Sequence, residues 1–227
     1  MSAGLFAVDK IIQNQGSIEY SGLGFPMPDT TTFKPLRHGL PALDARYQRC
    51  KATISGNAIK LTAVKSDDAS ANTVNILYEG DKARFGWLER PGCIYSDGFS
   101  GCAFYLFRSA AGDQVFGVHA SRQSGRLIDP IPAFRQAGYK LLWFWDSLGV
   151  QTDAQLLSGS FSAVFCYVNS HTIAAYAVRI KSRKIEAMLS RTFIPSYHRF
   201  ELPDPVTKMV QAVPVSGLQR LKKMMNV

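Results

Sequence analysis

The sequence predicts an α+β fold: an antiparallel β-sheet or sandwich core made of hairpins, flanked by a few helices. Two observations carry this. Short apolar runs with period-two alternation recur from Lys51 onward, paired across turns that contain Gly, Asn or Ser. Helical segments between them are few, and no apolar run approaches the roughly 20 residues of a membrane helix.

Taken in order, residues 1–50 read as an irregular leader that packs on the domain or carries an export signal. Leu5 to Ile12 fits a short helix, but Gly22-Leu-Gly-Phe-Pro-Met-Pro-Asp and Lys34-Pro-Leu-Arg-His-Gly-Leu-Pro break any long element. Met1 to Asp9 lacks a basic start followed by a long apolar core, so no conventional signal peptide is expected. Residues 51–227 then form a single domain. Ala52–Ser55 and Ala58–Val64 make a hairpin across Gly56-Asn57, Thr73–Tyr78 a third strand and Ala83–Leu88 a fourth. Ile131–Leu148 is predicted as a helix, opened by Pro132 and stopped by Gly149, with Trp143, Phe144 and Trp145 as packing residues. Phe161–Val168 and Thr172–Ile180 pair across Asn169-Ser170, Lys184–Phe193 adds a strand, and Leu218–Met225 a short basic amphipathic helix.

With 227 residues, 46% hydrophobic and 19% charged, the composition is that of an ordinary globular protein. The net charge of +9 is uneven. From Arg179 to the end there are ten Lys and Arg against three Asp and Glu, a local +7, which suits either a solvated basic face or an acidic partner. No nucleic-acid motif accompanies that charge. P-loop, Rossmann and HExxH patterns are absent, and so is a nucleophile elbow. Cys50, Cys93, Cys102 and Cys166 are scattered with no CxxC pair, so no metal site is expected. Reduced thiols are the expectation, with a Cys50–Cys93 bridge left open.

The chemistry concentrates between Tyr95 and Arg122. Phe99-Ser-Gly-Cys102 leads into the run Ala103–Phe107, a turn follows at Ala111-Gly-Asp113, and Gln114-Val-Phe-Gly-Val118 ends at His119. In an antiparallel hairpin the start of the first strand lies beside the end of the second. Cys102 and His119 are therefore predicted neighbours, as a thiol nucleophile and its general base must be. Gly101 permits a tight turn, and the backbone N–H groups of Ser100 and Gly101 are candidate oxyanion donors. A thiol with an ordinary pKa of roughly 8.5 is mostly protonated at neutral pH, so an imidazolium partner is expected to favour thiolate. His38, His171 and His198 read as surface or structural residues.

These residues resemble the catalytic core of the cytotoxic necrotizing factor type glutamine deamidases and of the related chemotaxis-receptor deamidases. The likeness spans residues 95–122. It implies a hydroxyl six residues before the cysteine, here Ser96, that holds the histidine ring; in the toxin branch a backbone carbonyl fills that role. It also implies a bacterial effector toxin that converts a glutamine side chain to glutamate on a target protein, without metal or organic cofactor. Rho-type GTPases and translation factors are the precedents for a target, and an acidic target face would suit the basic C-terminal part. A monomer, delivered by a specialised secretion system into a target-cell cytoplasm, is the corresponding expectation. Lys65–Asn72, Arg122–Pro132 and Ser196–Pro205 are expected to rim the site. Alternatives are a transglutaminase using the same site, a non-catalytic basic binding protein with Cys102 buried, and a cysteine peptidase. The last is disfavoured because Cys102 precedes a strand rather than a helix.

Overall fold

The computed structural model describes residues 3–21, 43–65 and 67–195. The chain opens with helix α1 (Ala3–Gln13) and strand β1 (Ser17–Ser21), followed by β2 (Leu43–Ala45), β3 (Tyr47–Ser55), β4 (Ala58–Ala63), β5 (Thr73–Ile76) and β6 (Ala83–Leu88). Next come β7 (Gly92–Phe99), β8 (Ala103–Arg108), β9 (Val115–Ala120) and the short pair β10 (Arg122–Gln123) and β11 (Arg126–Leu127). Helix α2 (Ile131–Gln136), β12 (Lys140–Asp146), helix α3 (Asp153–Leu157), β13 (Phe161–Val168), β14 (Thr172–Lys181) and β15 (Lys184–Pro195) complete it.

Eight strands close into a barrel in the order β1-β15-β14-β13-β7-β5-β3-β4, with β4 returning to β1. A second sheet, β12-β8-β9-β6-β2, lies against the barrel. The architecture is thus β-rich, a closed barrel plus a sheet, and not the flat α+β sheet or sandwich that the hairpins suggested. The hairpins themselves form. What closes the barrel is pairing between strands that are not neighbours in sequence: β1 with β4 and β5 with β7 in parallel, and β1 with β15 and β7 with β13 antiparallel. Alternation reports which face of a strand is buried, but not which strand lies beside it.

Two cores result. The first fills the barrel, where Ile18, Ile59, Leu61, Tyr95, Phe165 and Tyr176 cluster and α1 buries Leu5, Val8, Ile11 and Ile12 against them. Each such side chain contributes about 1.5–3 kcal/mol on leaving water. Asp9 on the same helix accepts from the Tyr176 hydroxyl at 3.0 Å and pairs with Arg191 at 2.6 Å. Residues 3–21 are therefore an ordered helix and barrel strand rather than an irregular leader. The Gly22–Asp29 and Lys34–Pro41 stretches, Ser196–Pro205 and the expected helix at Leu218–Met225 lie outside the described residues.

The second core lies between the barrel's outer face (Val74, Ile76, Ile94, Val164) and the five-stranded sheet (Phe104, Leu106), and continues on the sheet's far side through Phe85, Phe107 and Val118. Gly86 and Gly117 are paired across β6 and β9 and let the layers touch. A Cβ on Gly86 would sit 2.5 Å from Val74 Cγ1, and one on Gly117 would sit 2.8 Å from Ile76 Cδ1 and Ile94 Cγ2.

Of the helix expected over 131–148, only the first third, Ile131–Gln136, is helical. Pro132 does start α2, but Gly138 adopts φ +84°, and Lys140–Asp146 then forms β12. Its aromatics obey strand rather than helix preference. Phe144 pairs with Tyr105 and Trp145 with Phe104, and a bulge lies between Leu141 and Trp143. Phe134 of α2 stacks on Phe107 at 4.2 Å, which covers the sheet's other face. All four cysteines are free and buried, so the Cys50–Cys93 bridge does not form.

Candidate active site

Strand β7 carries Ser96 on the barrel wall, and β9 carries His119 in the middle of the second sheet between β6 and β8. The two side chains meet across the layers, with Ser96 Oγ 2.8 Å from His119 Nδ1. Ser96 also donates to the backbone carbonyl of Ile76 at 2.8 Å. A serine hydroxyl has a single proton. With that proton on Ile76 O, Oγ can only accept from the ring, so His119 carries its hydrogen on Nδ1 and presents a bare lone pair at Nε2. That Nε2 is buried and has no hydrogen-bond partner among the described residues, Cys102 Sγ included. The ring is held flat against Phe99, centroids 3.9 Å apart and 7° from parallel.

Cys102 directly precedes β8, whose Ala103 and Phe104 pair with Ala120 and His119. Extending the register puts Cys102 opposite Ser121, diagonal to His119 on the same sheet face and roughly 7–8 Å away between Cα atoms. Tyr78, from the segment after β5, lies near both: its ring is 5.2 Å from that of His119, and its pKa is raised by burial first and by the Cys102 charge second. The β8–β9 hairpin itself forms, with Ala103 opposite Ala120 and Arg108 opposite Val115.

Electrostatics differ from expectation. Burial lowers the pKa of His119 from 6.5 to about 3, so the ring is neutral at pH 7 and no imidazolium waits beside the thiol. Burial likewise pushes the Cys102 thiol up, opposed by the backbone N–H of Ser100 and by the charge of Arg122, while Asp146 adds to the rise. Both partners are neutral at rest.

The turn before the cysteine is tied down by residues that sequence reasoning missed. Gly101 has φ +121°, and space for a side chain there is open, with nothing within 4 Å. Its N–H donates to Ser147 Oγ at 2.9 Å, which corrects its assignment as an oxyanion donor: that hydrogen is already engaged. The Ser100 N–H is turned toward the sulfur instead. Ser147 donates twice to Cys102 O, from Oγ at 2.7 Å and from N at 3.0 Å. Arg122 Nε donates to Gly101 O at 2.6 Å, and its guanidinium pairs with Asp146. No sequence signal marks Ser147 or Asp146, because they lie far along the chain and reach the turn only through the β8–β12 pairing.

Of the expected rim, Arg122 reaches the site. Asn72, the last residue of the expected Lys65–Asn72 rim, does not. Asn72 O accepts from Cys93 N at the opposite end of β7, about 20 Å from Phe99. A cavity of about 240 Å³ lined by Val8, Ile59, Cys93 and Phe165 opens at that far end, away from Cys102. Three or more metal-ligating side chains come together nowhere among the described residues. No helix there is long and apolar enough to cross a membrane.

No protein family matches this sequence, and no curated protein does. Among solved structures, the C-terminal domain of CNFy from Yersinia pseudotuberculosis is similar at 8% identity and a TM-score of 0.36, over 85% of this chain and 99% of that one. At that score the likeness bears on neither fold nor function.

Proposed function

We propose that the protein is a thiol-dependent glutamine deamidase of the effector-toxin kind, with Cys102 as nucleophile and His119 as base and acid. The observation that supports this most is the His119 ring itself. Ser96 and Ile76 fix its tautomer so that an unpaired Nε2 is left on the ring, and the β8–β9 register, continued by one position, puts Cys102 on that face of the sheet.

Because thiol and imidazole are both neutral at rest, proton transfer accompanies attack. Sγ bonds to the carboxamide carbon of a target glutamine while Nε2 takes the thiol proton. Gly101 N–H being engaged, the backbone N–H of Cys102 is the donor assigned to the developing oxyanion. The tetrahedral adduct collapses as the imidazolium protonates the leaving nitrogen, and ammonia departs. His119 then takes a proton from water, hydroxide adds to the thioester, and the C–S bond breaks to give glutamate and the thiol. The net change is one water consumed and one ammonia released. No cofactor enters. An amine in place of water would make the same site a transglutaminase. Delivery by a specialised secretion system and action in a target-cell cytoplasm belong to this proposal, resting on the resemblance of residues 95–122.

A second reading has its own observation. Cys102 is only 6% exposed, as a core thiol in a non-catalytic binding protein would be. Iodoacetamide at neutral pH separates the two: selective labelling of Cys102 among the four thiols supports the enzyme, and no labelling supports the binding protein.

A further inference from the structure

We propose that Arg122 is the positioning residue of this site, working with Asp146 and Ser147 as a clamp that sets both the shape of the Gly101–Cys102 turn and the charge facing the sulfur. The inference rests on the thiol chemistry proposed above. Each peptide group flanking Cys102 is held from outside the Cys102–His119 hairpin. Arg122 Nε takes Gly101 O, and Ser147 takes both Gly101 N–H and Cys102 O. The guanidinium is in turn oriented by Asp146, at the last position of β12. Arginine suits this role because its planar fork can bond a carbonyl with one nitrogen and a carboxylate with another.

Clamping costs the turn its freedom but leaves its outer side open, since Gly101 faces empty space where a substrate carboxamide has to enter. The charged and titratable groups around the sulfur come from four elements: Tyr78 after β5, His119 on β9, Arg122 on β10 and Asp146 on β12. His119 is neutral, so the cation in this set is Arg122. During attack, as the thiol proton passes to His119, negative charge develops on the sulfur and then on the oxyanion. A fixed guanidinium beside the turn favours that charge in a partly buried setting, while Asp146 holds the cation at the expense of part of its field.

The test follows Cys102 alkylation by iodoacetamide against pH, read by peptide mass spectrometry, in the wild type, Arg122→Gln, Arg122→Lys and Asp146→Asn. Thermal melting monitors folding. Arg122→Gln is expected to move the alkylation inflection upward and slow labelling at pH 7 several-fold. Arg122→Lys keeps the charge but not the fork and falls between Arg122→Gln and wild type. Asp146→Asn, nearly isosteric, is expected to move the inflection down, and it keeps the question decidable where Arg122→Gln fails to fold. Inflections that stay in place, or that move the same way in Arg122→Gln and Asp146→Asn, overturn the clamp, as does a wild-type Cys102 that never labels. Because the readout is the thiol alone, opposite shifts in a protein that deamidates nothing would uphold the clamp and sink the proposed reaction.

Discussion

At the scale of single residues, the state of the His119 ring is set by where one proton of Ser96 goes. Directed to Ile76 O, it leaves Nδ1–H of His119 as the ring's donor and Nε2 as its base. Ser96→Ala is expected to keep the fold and lower turnover, with Ser96→Thr restoring most of it. His119→Ala removes the base itself and is expected to cost about 10²–10⁴-fold in kcat. A Ser96→Ala variant as active as wild type would contradict the tautomer argument. The depressed His119 pKa has a sign that can be checked. An unfolded chain protonates this histidine below pH 6.5 whereas the folded one holds it neutral to about 3, so its contribution is complete above pH 6.5 and lost as pH falls toward 3. Thermal melts from pH 7 to 4 are expected to fall more steeply for wild type than for His119→Asn; equal slopes would contradict burial as the cause. Cys102 and His119 could be placed near each other because a hairpin register brings two ends together from local signals alone. Ser96 came only from the resemblance, since its contact with His119 crosses from barrel to sheet. Arg122 was legible only as rim, and Ser147 and Asp146 not at all, since their contacts cross the sheet.

At the scale of elements, the contact between barrel and second sheet decides whether Ser96 and His119 meet. Gly86 is the tighter of the two glycines that allow it. Its added Cβ would also meet Tyr47 Cβ at 2.9 Å, an atom with little freedom to move. Gly86→Ala is expected to cost about 1–3 kcal/mol by overpacking and to reduce activity in parallel, measured by denaturant unfolding and turnover. Unchanged stability in Gly86→Ala would show that the layers do not press together there. The strands that frame this contact could be read from alternation. β12 could not, because Trp143-Phe-Trp145 is compatible with a helical stripe until its partners Tyr105 and Phe104 are known. Short apolar runs are ambiguous between the two periods.

At the scale of the whole molecule, α1 and the barrel form a single unit. The helix buries its apolar face in the barrel's core, and its loss would leave that core open. Ile12→Ala, at a fully buried position, is expected to cost about 2–5 kcal/mol, seen as a lower Tm. A neutral result would mean that the helix is an accessory. The sequence hid this because Leu5–Ile12 looks like any short amphipathic helix, and only the β1–β4 and β1–β15 pairings commit it to the barrel. The proposed thiol-dependent deamidation draws on barrel and sheet together, because Ser96 comes from one and His119 from the other. Peptide mass spectrometry of a lysate incubated with wild type and with Cys102→Ser tests it most directly. The account predicts a gain of about one dalton on particular glutamines, with ammonia released, and neither with Cys102→Ser. Glutamines unchanged across the lysate, with no ammonia and Cys102 unlabelled by iodoacetamide, would contradict it.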